Sequence, residues 1–565
     1  MFNYKENYNK WLEDNFFDEE TREELSNITD EKEIEDRFYR DLEFGTGGLR
    51  GVMGAGTNRM NKYTIGKATK GLGTYLLDHY GVEVCAKRGV VIGYDTRNNS
   101  KDFSEITANV LTGMGIKVYL HSEARPTPQL SFSVKFLNAL AGVVITASHN
   151  PKEYNGYKVY DEYGCQLVPW QAKQVIQYVN AIEDYHTISF EGNNSLLEIV
   201  EVTDNFVSEV MKQSRYEDAT AKADLKVVYT PLHGTGYVPV TKALALDGFK
   251  QIEIVKEQAV MDGNFPTVVS PNPEDRRALE IGIQQAKKTD ADIVLGTDPD
   301  SDRVGIAVKG SDGSYQLVTG NQVGALLMNF ILKNTDLSKY SHPAIVKTIV
   351  TSELGADIAR KQGINVFSTL TGFKFIGEKV AKYEITNEKQ YVFGYEESYG
   401  SLIKPFVRDK DAPQACLMLA EAACYYKAKG KTLVDVLYDL YAELGFYEES
   451  QTSLKLEGQA GAQRIQEILA TLRKTSVETI NDVKVIRFED YKESKIIENG
   501  KEEELCGFTK SDVLKYYLED GSWIAIRPSG TEPKCKFYYC IKGTSLDNAH
   551  EKTLAFQNAM AEMIK

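Results

Sequence analysis

Asp298, Asp300 and Asp302 occupy alternate positions in the segment DPDSDR (298–303). In an extended loop alternate side chains turn toward one point, so three carboxylates so spaced can share one hard cation. Without a cation they would repel one another. An EF-hand loop also begins D-x-D-x-D, but its sixth position here is Arg303 instead of Gly, and its twelfth is Lys309 instead of Glu. Three monodentate oxygens completed by a phosphate oxygen suit the small octahedral shell of Mg2+ better than Ca2+.

A second chemical segment is TASHNP (146–151), followed by NGYK (155–158). Ser148 ends an apolar run, and Pro151 stops any helix from forming behind it. A serine hydroxyl becomes a nucleophile only with a base or metal nearby, and either Lys158 or His149 can supply the base. The chain contains no GxSxG, so an α/β-hydrolase elbow is excluded. GYEESYG (394–400) offers Glu396 and Ser398, groups suited to sugar hydroxyls. RPSGTEPK (527–534) brings together Arg527, Ser529, Gly530 and Thr531. That is the inventory of a phosphate clamp without a Walker lysine. Each of these two segments also reads as a plain turn. FGTGGLRG (44–51) breaks the dinucleotide fingerprint at Arg50, and KGKT (429–432) lacks the first Walker glycine, so nucleotide sites are excluded.

The elements that must position these loops repeat. RGVVIGYD (88–95) and AGVVITAS (141–148) are strands separated by a helical segment. The order recurs as LKVVYTPLHG (225–234) with ADIVLGTD (291–298), and as AIVKTIVT (344–351) with QYVFGYEES (390–398). Each unit sends a polar loop off a buried strand, which predicts three related α/β domains whose loops face one cleft. Residues 1–40 read as two amphipathic helices, and 412–444 as a helical region. The stretch 445–455, GFYEESQTS and its continuation, reads as a linker to a smaller α+β domain of helix, strand, helix and the pair WIAIRPSG/CKFYYCIKG.

At 565 residues the chain exceeds a single core, and three to five domains are expected. A net charge of −15 argues against nucleic acid, although a few convergent cations can still hold a small anion in a cleft. The polar, acidic N-terminus does not read as a signal peptide, and there is no run of ~18 apolar residues of the kind that enters a membrane. Seven scattered cysteines without a CxxC pair read as reduced thiols, hence a cytoplasmic protein.

Taken together, TASHNP, DPDSDR, GYEESYG and RPSGTEPK resemble, in order, the phosphoserine, magnesium, sugar and phosphate loops of the α-D-phosphohexomutases. The resemblance runs from about residue 40 to 565. It implies four domains around a central cleft, divided here as 1–205, 206–318, 319–447 and 448–565. It implies that Ser148 carries the phosphoryl group and joins Asp298, Asp300 and Asp302 around Mg2+. Arg50 and Lys158 resemble the residues that support transfer, Arg303 the arginine closing the metal loop, and Arg408 and Lys410 a basic pair reaching substrate. TGFKFIG (371–377), with Thr371, Gly372 and Lys374, resembles the loop approaching the sugar. The implied reaction converts glucose 1-phosphate to glucose 6-phosphate, with glucose 1,6-bisphosphate as intermediate and activator. The sugar loop departs from the GEMSGH of dual-specificity phosphomannomutases, which leans toward glucose. The long N-terminus is similar to the branch that also holds phosphopentomutases, so pentose and mannose phosphates stay open as substrates. A phosphosugar phosphatase and a non-catalytic sensor are the readings from other classes.

Overall fold

The computed structural model describes residues 3–45, 47–529 and 533–565, without the side chain of Gln459. Its strands form four sheets among these residues. The first three contain the same unit: a parallel flanking strand, a central strand, a second parallel strand and an antiparallel return. In the first sheet these are Val118–His121, Val90–Tyr94, Ala141–Ile145 and Tyr154–Asp161. In the second they are Gln251–Ile254, Lys226–Thr230, Ile293–Thr297 and Val304–Lys309. In the third they are Asn365–Thr369, Pro343–Thr348, Gln390–Glu396 and Gly400–Leu402. The loop between the second parallel strand and its return is therefore equivalent in all three. Those loops hold Ser148, the three aspartates, and Glu397–Tyr399. Apolar β-branched runs such as Val90–Val91–Ile92 and Ile293–Val294–Leu295 are fully buried, as strands covered on both faces must be.

The fourth domain is a sheet of mainly antiparallel strands whose outer face is covered by the helices Gly458–Lys474 and Leu546–Met563. Three related α/β domains and a C-terminal α+β domain thus surround a central cleft.

Two expectations are corrected. The N-terminus forms three helices instead of two: Tyr4–Glu13, Glu19–Ser26 and Glu31–Phe38. Asp18 and Asp30 each accept an N-cap hydrogen bond and so restart the helix. Trp11 stacks on Phe17 with ring centroids 4.2 Å apart and meets Tyr63 edge-on, fastening the segment to the first domain. The expected linker is the ten-residue strand Phe446–Lys455, paired along its length with Lys534–Gly543. Its Glu, Ser and Gln residues read as loop, but an edge strand with one solvated face tolerates them. The divisions drawn at 205/206 and 447/448 fall inside the helix Thr203–Met211 and this strand.

Candidate active site

Ser148 follows a fully buried strand and has φ +54°, a left-handed conformation that a non-glycine residue adopts only when its surroundings enforce it. The enforcement is visible. The Ser148 N–H donates to Thr146 Oγ1 at 2.8 Å, and the Thr146 hydroxyl donates to Asp95 Oδ2 at 2.6 Å. Arg97, 3% exposed, sends its guanidinium into the loop. It donates to the carbonyls of Pro151 at 2.9 Å and Tyr154 at 3.2 Å, and to those of Ser148 and Asn150. Its Nε lies 3.4 Å from Asp95 Oδ2. The Ser148 hydroxyl donates to Asp298 Oδ2 at 2.8 Å, across the boundary between the first and second domains.

Asp298, Asp300 and Asp302 are essentially buried, and one oxygen from each lies within 4.8 Å of the others. Asp300 Oδ1 and Asp302 Oδ1 are buried and have no hydrogen-bond partner. Orphaned carboxylate oxygens converging on one point are what a hard divalent cation satisfies, so the residues fit a metal site. The remaining oxygens are spoken for. Lys158 Nζ is 2.9 Å from Asp300 Oδ2, Thr127 Oγ1 donates to the same atom at 2.9 Å, and Lys410 Nζ is 3.1 Å from Asp302 Oδ2. The N–H groups of Asp302 and Arg303 donate to Asp298 Oδ1 at 3.2 and 3.1 Å. Burial, reinforced by Asp300 and Asp302, pushes the Asp298 carboxyl well above the usual range. Burial would raise Asp300 too, but Lys158 holds it low.

The two candidate bases separate by position. His149 Nδ1 lies 3.2 Å from Ser148 Oγ, and burial followed by the charges of Arg303 and Arg50 lowers its pKa to about 2. The imidazole is therefore neutral beside the serine. Burial pulls Lys158 down, but Asp300 and Asp302 outweigh it and keep the ammonium charged. Lys158 is thus a fixed cation on the carboxylates.

Arg50 and Lys158 project from the same face of neighbouring strands, with Gly48 opposite Lys158 and Arg50 opposite Gly156. A Cβ at Gly48, where φ is +140°, would meet the Tyr157 carbonyl oxygen at 1.7 Å, so the strand can approach only with glycine there. Arg50 is exposed in the cleft and donates to Asn150 Oδ1 at 3.4 Å. Arg303 pairs with Glu274 at 2.6 Å.

In the 394–400 loop Glu396 is 5% exposed, hydrogen-bonded to Ser398, and 3.7 Å from Lys410 Nζ. Lys410 thereby joins the 298–303 loop to the 394–400 loop. Gly372 has φ +115°, and the hydroxyl of Thr371 is buried without a partner. Burial, and then the charge of Arg527 from the fourth domain, lowers the pKa of Lys374 in the 371–377 loop to about 8. Arg527 also hydrogen-bonds Tyr538, and the Ser529 N–H donates to the Lys534 carbonyl at 2.9 Å. Gly530 and Thr531 lie outside the described residues.

Arg408 is not brought to this cleft. It is 1% exposed between the helices Thr127–Phe136 and Phe373–Thr386, with its N–H on Ser131 Oγ at 2.8 Å and its guanidinium paired with Glu384. A buried guanidinium needs a carboxylate, and Glu384 supplies it away from the metal loop. Motif reading also passed over Asp95, Arg97 and Thr127. The signal for Asp95 and Arg97 is YDTRNNS (94–100), an Asp-x-Arg directly off the end of the first parallel strand. Nothing in the sequence marks Thr127, which acts only because its helix faces the second domain.

A serine beside a buried carboxylate triad, a Glu396–Ser398 loop and an Arg527 loop are thus carried by four domains, the arrangement of a phosphosugar mutase. Models of the four phosphoglucomutase/phosphomannomutase domains match residues 41–186, 204–313, 319–444 and 456–542 in order. The chain belongs to the phosphoglucomutase/phosphomannomutase family. A phosphoglucomutase from Staphylococcus haemolyticus (strain JCSC1435) is 38% identical over 516 residues, covering 90% of this chain and 91% of its own length. The structure of parafusin, a phosphoglucomutase from Paramecium in its open form, superposes with a TM-score of 0.68 at 17% identity, covering 93% of this chain and 95% of its own. A phosphoglucomutase/phosphomannomutase family protein from Burkholderia thailandensis gives a TM-score of 0.68 at 18% identity, covering 92% and 97%. These two likenesses concern the fold.

Proposed function

We propose that the chain interconverts glucose 1-phosphate and glucose 6-phosphate through phospho-Ser148, with glucose 1,6-bisphosphate as intermediate and activator. The observation that carries the reading is Ser148 Oγ, held in a left-handed turn 2.8 Å from Asp298 beside two orphaned carboxylate oxygens. Asp298, Asp300 and Asp302, with an oxygen on Ser148, would hold Mg2+, which supplies charge neutralisation when bound. Phosphoryl transfer needs positioning and electrostatic stabilisation more than covalent help. Lys158 and Arg50 provide fixed positive charge on one face of the cleft. Neutral His149, with Nδ1 3.2 Å from Ser148 Oγ, orients the serine, and its suppressed basicity leaves it a poor base. Glu396 and Ser398 take sugar hydroxyls, Lys410 and Arg303 hold the carboxylates in register, and Arg527, with Lys374, Ser529, Gly530 and Thr531, takes the distal phosphate. Thr371 and Gly372 line the approach to the sugar. Because the bisphosphate must present either end to Ser148, one clamp serves both orientations. Arg408 has a supporting role only.

The glucose assignment draws on the curated relatives, which are phosphoglucomutases at 38% identity. The partner is a small phosphosugar. No helix among the described residues is long and apolar enough to cross a membrane. The free cysteines, six of the seven buried, support a reducing, cytoplasmic setting. The test is a coupled assay with glucose, mannose and ribose 1-phosphates, each with its bisphosphate, with and without chelator. Conversion of glucose 1-phosphate that chelator abolishes and Mg2+ restores is expected. Net release of inorganic phosphate instead would make the chain a phosphatase.

A further inference from the structure

Lys515 is 1% exposed and lies where the fourth domain meets the third. It stands opposite Ala525 on the neighbouring strand Trp523–Pro528. Lys515, Ala525 and Arg527 therefore project from one face of that sheet, while Tyr516, Ile524 and Ile526 project from the other into the helix-covered core. The face that presents the phosphate clamp is thus the face that carries Lys515. Its ammonium donates to the carbonyl oxygen of Ile349 at 2.6 Å and lies 4.1 Å from the Trp523 ring centroid.

Ile349 sits in the turn between the strand Pro343–Thr348 and the helix Glu353–Lys361. Two buried threonines of that turn reach the sugar loop. Thr348 and Thr351 donate to Glu397 Oε2 at 3.0 and 3.2 Å, and their hydroxyls are 2.8 Å apart. Glu397 is the immediate neighbour of Glu396. A continuous polar chain therefore runs from the clamp sheet through Lys515, Ile349 and the two threonines to the sugar loop. The nearby carboxylate of Glu353 is engaged by Lys347 at 2.8 Å. Methionine would fill the same space without the cost of desolvating an ammonium, so packing alone does not account for a lysine here.

We infer that Lys515 is a positioning residue that sets the span between the Arg527 clamp and the Glu396–Ser398 loop, so that the site reads the length of the sugar phosphate. The inference rests on the function proposed above. A pentose phosphate is shorter than a hexose phosphate, and a rigid tie between the two loops penalises whichever sugar does not bridge them. Lys515→Met in the full-length enzyme should raise KM for glucose 1-phosphate about tenfold and leave kcat within twofold. The preference for glucose over ribose 1-phosphate in kcat/KM should fall by a similar factor. Hydrogen exchange of the amides at 394–400 should accelerate in the same variant, with or without substrate. Thr351→Val, which removes one bond to Glu397 without touching the fourth domain, should give the same pattern at smaller size, and serves if Lys515→Met does not fold. Unchanged KM together with unchanged exchange at 394–400 would overturn the inference, as would equal losses of kcat for both sugars. If the unaltered enzyme converts neither sugar, the functional reading fails, and the exchange experiment still judges the tie.

Discussion

Arg97→Lys isolates the device that holds Ser148 in place. The guanidinium reaches four carbonyls, those of Ser148, Asn150, Pro151 and Tyr154, while its Nε faces Asp95. Lysine keeps the charge opposite Asp95, but a single ammonium cannot reproduce a planar fork that serves carbonyls on both sides of the loop. If two charge-assisted bonds are lost at about 1.5–3 kcal/mol each, the loop forfeits about 3–6 kcal/mol of restraint. The left-handed conformation of Ser148 costs on the order of 1–3 kcal/mol, so the restraint lost exceeds the strain it balances. Ser148 should then relax away from Asp298. A displacement near 1 Å costs roughly 100-fold in rate, so kcat should fall about 100-fold or more. KM should change less than about threefold, because Arg527 and Glu396 are untouched. The assay is steady-state conversion of glucose 1-phosphate at saturating Mg2+, with circular dichroism and melting to verify folding. A folded Arg97→Lys enzyme with kcat within threefold of the unaltered protein would mean that Arg97 does not hold Ser148 in place.

Other consequences follow from the same geometry. Asp300→Asn removes one ligand and one charge from the carboxylate triad, so activity at limiting Mg2+ should be lost; full activity of that variant in chelator would count against the site. Arg527→Ala should lower kcat/KM roughly 10- to 150-fold, from one charge-assisted phosphate bond of about 1.5–3 kcal/mol, and an unchanged ratio would make the loop only a turn. Glucose 1-phosphate should outperform mannose and ribose 1-phosphates, since a mismatched hydroxyl strands a buried polar group at about 1–3 kcal/mol; ribose as the best substrate would reassign the enzyme as a phosphopentomutase. His121 is buried with Nε2 3.0 Å from Ser133 Oγ, and burial, aided by Arg125, lowers its pKa from 6.5 to about 4. Between those values the unfolded chain takes up a proton that the native state refuses. Stability present in full above pH 6.5 is therefore lost as pH falls to 4, by about 3 kcal/mol. Urea unfolding of His121→Gln should lack that part of the slope, and an identical pH dependence in both proteins would dismiss it.

The repeated strand–loop order was legible because each unit buries its strands completely, leaving β-branched runs that stand out from their polar loops. Asp298, Asp300 and Asp302 were legible for the opposite reason: three like charges at alternate positions make little sense without a cation. The surroundings of Lys158 were not, because they depend on which carboxylates the lysine meets across a domain boundary. Arg97 escaped for a related reason. Its acceptors are backbone carbonyls of residues 148–154, and a carbonyl leaves no mark on a side-chain pattern. The strand Phe446–Lys455 reads as a loop because its pairing partner, Lys534–Gly543, lies far along the chain, and its own composition is that of a loop. Arg408 was misplaced because proximity to Lys410 in sequence does not fix which neighbour a buried guanidinium finds.

Covalent phosphate at Ser148 is the most direct consequence of this chemistry. Rapid quenching of the enzyme with 32P-labelled glucose 1,6-bisphosphate, followed by peptide mapping, should place the label on Ser148 at a rate no slower than turnover. The label should then pass to added glucose 1-phosphate or glucose 6-phosphate. Full turnover without label at Ser148, or an active Ser148→Ala enzyme, would contradict it.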